Sequence, residues 1–233
     1  MKQYRYKNRE EYIDAQVVRS RNKFGYCKVY FTDLVRYKRL LSLHQTRQQQ
    51  PSISGAILCL GVRSGAEVDM FRATFYGPLM RLHTMQEIAR RADRSKHGEE
   101  KIRLAKRLGI GSGNPHDGRV WGVEINPDAA REDIHVGSFD DLPKEWTGKF
   151  QLLYSNSFDH SVDPQRTISE WKRVAAPGAY IMIGFAPGTD ASHTDPLGGM
   201  TITQMIELWQ LPVVFASETL NRGGYHEICF QMS

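Results

Sequence analysis

The sequence predicts an α/β fold whose sheet is mostly parallel and closes with an antiparallel hairpin, and three features predict it. Apolar runs of strand length recur at residues 56–60, 120–125, 150–154 and 179–185. The last two flank a well-bounded helix, and strand, helix, strand in that order implies parallel neighbours. Near the end of the chain, the β-rich runs 213–219 and 225–232 are joined through Asn221-Arg222-Gly223-Gly224, which reads as a hairpin.

Each helix carries its own punctuation. Asp163 can cap, Pro164 suits a first turn, Ile168, Trp171 and Ala175 share a face, and Pro177-Gly178 is the expected stop. Thr201 and Gln204 form a capping-box pattern ahead of the stripe Ile202, Met205, Ile206 and Trp209. Residues 1–50 read as a helical N-terminal extension, notably around 34–43, with the Gln-rich residues 45–50 as a linker. Residues 51–233 form the main domain, with a basic helical insertion at about 76–118. Within it, Leu82, Met85, Ile88 and Ala92 make one stripe and Ile102, Ala105 and Leu108 a second, followed by a Gly-rich loop. The link from Glu124 to Ile134 is short for a parallel crossover, so a single helical turn from Asp128 is expected there.

At 233 residues, 40% of them hydrophobic and 24% charged, the chain can bury one sizeable core. No apolar run approaches the length of a membrane span and the first residues lack a signal-like apolar stretch, so a cytoplasmic protein is expected. Cys27, Cys59 and Cys229 lack metal-site spacing and read as buried free thiols, with no metal expected. The net charge of +5 is uneven: residues 1–50 hold 12 Lys/Arg against 4 Asp/Glu, and residues 72–119 hold 11 against 5. Two basic additions on an acidic remainder suit an anionic acceptor or partner, or else they are solvated helix faces.

The central motif is ILCLGVRSGAEV, residues 57–68, an apolar strand followed by Gly61 and Gly65 at a helix start. Glycines there allow a tight turn and a close approach of ligand to backbone and helix end. With VWGVEINP, VGSFDDLP, the block FQLLYSNSFDHSVDPQRTISEWKRVAAPGAYIMIG and the final GGYHEICF, this stretch resembles the class I S-adenosylmethionine-dependent methyltransferases over about residues 54–231, apart from the insertion. The resemblance implies a Rossmann-like sandwich with a mostly parallel seven-stranded sheet, and S-adenosylmethionine as cofactor with S-adenosylhomocysteine as product.

It also implies where the cofactor lies. Gly61, Val62, Arg63 and Gly65 would form its turn. Glu124 and Ile125 would meet the ribose, where a carboxylate can accept from both hydroxyls. Ser138 and Phe139 would flank the adenine, and Asn156, Ser157 and Phe158 the methionyl end. Two positions depart from the family pattern. Cys59 replaces the usual acid, and Arg63 replaces the middle glycine, where it can offer a charge-assisted contact to the cofactor carboxylate. For acceptor chemistry the candidates are His160 and His193, with Asp159 and Asp195 beside them in sequence. His160 has a supporting role as its alternative, and His193 and Asp195 sit in a polar loop able to close over an acceptor.

The leading expectation is methyl transfer to a small-molecule, glycan or lipid acceptor, in a pocket built by residues 1–50 and the insertion. A nucleic-acid methyltransferase is the main alternative, because Tyr4, Tyr6, Tyr12, Tyr26, Tyr30 and Tyr37 are interleaved with Lys and Arg. A nicotinamide-dependent oxidoreductase is disfavoured by the Gly61-x-x-x-Gly65 spacing. A cofactor-binding protein without catalysis is the fourth reading, raised by Cys59 and Arg63.

Overall fold

The computed structural model describes residues 3–77, 93, 97–107 and 118–233. Its sheet contains β1 (Ala56–Leu60), β2 (Val120–Glu124), β3 (Ile134–Val136), β4 (Phe150–Ser155), β5 (Ala175–Phe185), β6 (Val213–Ser217) and β7 (His226–Gln231). These lie in the order β3-β2-β1-β4-β5-β7-β6, a seven-stranded sheet. Strands β1 to β5 pair in parallel, and β7 runs antiparallel to both β5 and β6. Chain order reverses between β1 and β4. The carboxyl ends of these two strands therefore form the switch point at which open α/β sheets hold ligands.

Successive strand side chains point to opposite faces, and this divides the core in two. Ile57 and Cys59 face α2 (Phe31–Arg47), α3 (Ala66–Tyr76) and α4 (Gly98–Arg107), through residues such as Leu34, Leu41, Val68 and Phe71. Leu58 and Leu60 face the other layer, made by α5 (Pro164–Val174) and α6 (Ile202–Trp209). There Phe158, Trp171, Trp209 and Phe230 form a continuous run of rings with centroids 5.6–5.7 Å apart along it. The remaining described helix, α1 (Arg9–Asn22), lies across the carboxyl edge of the sheet, tied by ion pairs to the loops that follow β2, β3 and β5.

Local signals set most of the boundaries. Asp163 accepts from the Arg166 amide at 3.0 Å and Pro164 opens α5, while Thr201 and Gln204 exchange the two bonds of a capping box at 2.9 and 3.2 Å. Long-range pairing shifts others. The helix α5 stops at Val174 rather than at Pro177-Gly178, because Ala175 already pairs with Phe150 and a positive φ of 72° at Gly178 lets β5 bulge through that point. In α6, Met205 and Trp209 are buried but Ile206 is exposed, so the apolar stripe is narrower than the sequence suggests. Residues 45–50 are not a linker: α2 runs on to Arg47 and Gln45 is buried.

The short β2–β3 link holds one 3₁₀ turn, Pro127–Ala129, capped by the Asn126 side chain. Two arginines clamp it. Arg131 bonds both Asp69 on α3 and Asp133 in the link, and buried Arg72 bonds the same two carboxylates. Charge here does the positioning that a crossover helix does elsewhere.

In α4, Ile102 and Leu104 pack against the core, but the basic residues are not all on the outer face. Lys101 is fully buried, donates to the Cys27 and Val29 carbonyls at 3.1 and 2.7 Å, and sits 3.5 Å from the centroid of Tyr30. The Leu82, Met85, Ile88 and Ala92 stripe, Leu108 and most of the Gly-rich loop lie outside the described residues. All three cysteines are buried and free. Among the described residues no helix is long and apolar enough to cross a membrane.

Candidate active site

The turn after β1 is shaped by three residues in the left-handed region. Gly61 has φ 81°, and a Cβ there would lie 2.7 Å from the Ser157 Cβ and Oγ, so only glycine fits. Gly65, also at φ 81°, caps α3, and its added Cβ would meet Ile134 at 2.5 Å. Arg63 holds φ 50°, so the backbone keeps the form that a glycine takes while adding a side chain. That guanidinium donates to the Tyr26 carbonyl at 3.1 Å.

Glu124 is built into the same turn. Its carboxylate accepts from the Arg63 amide at 2.6 Å and from the Asn126 amide at 3.2 Å, and the residue is only 4% exposed. A carboxylate has about four acceptor positions, so two such bonds orient it and leave capacity for a ligand. On the neighbouring strand, Ser155 Oγ donates to the Leu60 carbonyl at 2.9 Å and accepts from the Ser157 amide at 3.0 Å, which fixes Ser157 against Gly61.

Over this turn lies a cavity. Of the residues expected from sequence it brings together Gly61, Arg63, Glu124, Ile125, Ser138, Phe139, Ser157 and His160. Val62 is in the core, with its side chain turned from the cavity, and Gly65 lies beneath the turn at the start of α3. Asn156 stands beside the cavity wall, its Oδ1 accepting from Ser157 Oγ at 3.3 Å. Phe158 is wholly buried against Trp171 and Trp209. His193 is exposed, with its ring near Tyr4 and Tyr6, outside the cavity.

The sequence assigned residues 1–50 to the acceptor pocket without singling out its lining: Tyr12, Gln16, Arg19 and Ser20, one face of α1, line the cavity as its roof. Three arginines of this helix anchor it to three loops. Arg9 pairs with Asp140 at 3.0 Å, Arg21 with Asp128 at 2.9 Å, and Arg19 holds both oxygens of Asp195 at 2.6 and 2.8 Å. The basic extension thus meets acidic groups of the sheet's own edge. The loop after β5 is folded rather than loose, since a Cβ on Gly198 would lie 2.6 Å from the Thr189 carbonyl and Tyr4 donates its amide to Pro196.

His160 has a defined tautomer. Gln16 Nε2 donates to the Thr194 carbonyl at 3.3 Å, an atom that can only accept, so Gln16 Oε1 is the atom 2.8 Å from His160 Nδ1. Nδ1 therefore carries the hydrogen and Nε2 is bare in the neutral ring. Burial, with Arg19 nearby, pushes His160 down to about 3 and keeps it neutral. Asp159 Oδ1 and Asp195 Oδ1 each lie 3.7 Å from Nε2. Burial, with the Asp195 carboxylate beside it, pushes Asp159 up to about 7. Ligand atoms of these three groups lie within 4.8 Å of one another, but Asp195 already directs both oxygens to Arg19, so a cation is in place there.

Neither a protein-family model nor a curated protein sequence matches the chain. Solved structures do. The chain is similar to a 1,6-didemethyltoxoflavin-N1-methyltransferase from Burkholderia thailandensis, solved with 1,6-didemethyltoxoflavin and S-adenosylhomocysteine, at 11% identity and a TM-score of 0.53 over 99% of this chain and 92% of that one. It is also similar to the N-methyltransferase NodS from Bradyrhizobium japonicum, solved with S-adenosylhomocysteine, at 12% identity and a TM-score of 0.51 over 94% and 99% of the two chains. The chain has the fold of the class I S-adenosylmethionine-dependent methyltransferases.

Proposed function

We propose that the protein transfers a methyl group from S-adenosylmethionine to a small-molecule acceptor, and that residues 1–50 complete the acceptor pocket of the domain formed by 51–233. The observation that carries this reading is Glu124, held by two backbone amides at the end of β2 in the wall of a roofed cavity. The cofactor fits the residues present: Gly61, which no side chain could replace without striking Ser157, keeps the turn tight against β4, and it lines the cavity together with Glu124. Glu124 would accept from the ribose hydroxyls, Ile125, Ser138 and Phe139 would flank the adenine, and Ser157 with Asn156 would border the methionyl end. Val62 contributes through its backbone, and Phe158 supports the site from the core.

When bound, the cofactor supplies an electrophilic methyl group on a sulfonium. The chain's task is alignment and exclusion of water, which the roof helix α1 performs, and the handling of one proton. His160 Nε2, bare and neutral, takes that proton from a hydroxyl or amine acceptor, while Asp159 and Asp195 stabilise the imidazolium that forms. The cavity is roofed and lined by both apolar and polar groups, as small-ligand sites are. The named acceptor of the toxoflavin enzyme is also a small molecule. The nucleic-acid reading loses support because Arg9, Arg19 and Arg21 are already engaged by aspartates.

Calorimetry with S-adenosylmethionine, S-adenosylhomocysteine and NADH tests the reading. Saturable binding of both adenosyl ligands and none of NADH is expected. Tight NADH binding with neither adenosyl ligand would contradict it.

A further inference from the structure

His160 stands between two sets of acceptors that favour opposite tautomers. On its Nε2 side, Asp159 Oδ1 and Asp195 Oδ1 each lie 3.7 Å away, and Asp159 Oδ1 is buried with no hydrogen-bond partner. Those oxygens draw the ring hydrogen toward Nε2, which would leave that nitrogen unable to take a proton. On the Nδ1 side stands the buried Gln16, its amide 2.8 Å from the ring. A contact of 2.8 Å is a full hydrogen bond and one of 3.7 Å is not, so the amide outweighs the carboxylates.

The tautomer that the amide imposes depends on which of its ends faces the ring, and that is fixed at its other end. Gln16 Nε2 lies 3.3 Å from both the Thr194 carbonyl and the Tyr6 hydroxyl. Tyr6 donates its one hydroxyl hydrogen to the His193 carbonyl at 2.5 Å, so toward Gln16 it can only accept. Two acceptors therefore hold the NH2 group of the amide toward the loop after β5 and its oxygen toward His160. Turned over, the amide would set its oxygen against the Thr194 carbonyl and donate to Nδ1. The ring hydrogen would then sit on Nε2, beside the unpartnered Asp159 oxygen. The chain His193, Tyr6, Gln16, His160 thus has two possible senses, and the loop selects one. The loop is itself anchored there, since Asp195, next to Thr194, is held by Arg19 at 2.6 and 2.8 Å.

We propose that Gln16 is a positioning residue for His160, its amide oriented by the Thr194 carbonyl with Tyr6 as a second acceptor, and that it keeps Nε2 bare against the pull of Asp159 and Asp195. That the bare nitrogen serves methyl transfer rests on the proposed function; that Gln16 sets the tautomer does not. The base is then assembled from two separate segments, because α1 supplies the amide and the loop after β5 supplies its orientation.

Long-range proton–nitrogen correlation spectra of the histidine rings near neutral pH provide the test, with the His160 signals identified by their loss in His160→Gln. Burial pushes His160 down to about 3, so the ring is observed neutral and its two nitrogens report the tautomer. The wild-type protein should carry the hydrogen on Nδ1. Gln16→Met, close in size but only a weak acceptor, should move it to Nε2. Gln16→Glu, which still offers an oxygen, should keep it on Nδ1, and so should Tyr6→Phe, which leaves the Thr194 carbonyl in place. Unchanged signals from the other histidine rings show that each variant is folded; if Gln16→Met is not, Gln16→Leu carries the same expectation. A hydrogen on Nε2 in the wild type or in Gln16→Glu, or one retained on Nδ1 in Gln16→Met, would overturn the inference. A hydrogen on Nε2 in Tyr6→Phe would overturn the part assigned to the Thr194 carbonyl. The spectra need no ligand, so if neither adenosyl ligand binds, the methyltransferase reading falls alone.

Discussion

Replacing Glu124 with alanine is expected to weaken S-adenosylhomocysteine binding by about 1.5–3 kcal/mol, the range for losing hydrogen bonds to a charged group. That corresponds to roughly a 10- to 150-fold rise in Kd. The carboxylate also receives the Arg63 and Asn126 amides, so the alanine variant loosens the turn as well as the ligand contact. Glu124→Gln keeps one acceptor oxygen and should fall between the two. Calorimetry gives the affinities, and circular dichroism confirms that each variant is folded. An unchanged Kd in a folded Glu124→Ala variant would remove the residue from the ribose role.

His160→Ala is expected to slow turnover about 10²- to 10⁴-fold, the usual contribution of a positioned base, while S-adenosylhomocysteine affinity changes little. The pH dependence follows from the two neighbours. Because His160 is held near 3, its ring is neutral throughout the working range. Burial pushes Asp159 up to about 7, and below that pH its neutral carboxyl no longer offsets the charge of the imidazolium that forms on His160, 3.7 Å away. The rate should therefore rise with pH through about 7 as Asp159 ionises. Asp159→Asn should flatten that rise, as read from the release of S-adenosylhomocysteine between pH 5.5 and 8.5. A variant with the same inflection would detach Asp159 from the proton's path.

Where a signal was local, the sequence revealed it. The apolar run of β1 is observed from Ala56 to Leu60, and the caps at Asp163 and Thr201 form the bonds their side chains suggest. The start of β5 was hidden because it depends on a ladder with Phe150 and a bulge at Gly178, neither of which is visible in a window of neighbouring residues. The inward face of the roof helix was hidden for a different reason. It carries Gln16, Arg19 and Ser20 toward a cavity, so the helix lacks the apolar stripe by which surface helices are recognised. A usable signal was present in Asn8, whose side chain accepts from the Glu11 amide and caps α1, and in the charge contrast between the extension and the acidic loops it meets. Likewise the basic character of α4 suggested solvent, while Lys101 finds two carbonyls and a ring inside the protein. The turn of Gly61 and Arg63 and the position of Glu124 were legible because they fall at the ends of the apolar runs that form β1 and β2.

The most direct measurement is a crystal structure of the protein with S-adenosylhomocysteine. The account predicts both ribose hydroxyls within about 3.2 Å of the Glu124 carboxylate, the adenine against Phe139 and the methionyl end over Gly61, beneath α1. An adenosyl group bound away from the β1 and β2 carboxyl ends, with Glu124 engaged only by the Arg63 and Asn126 amides, would contradict it.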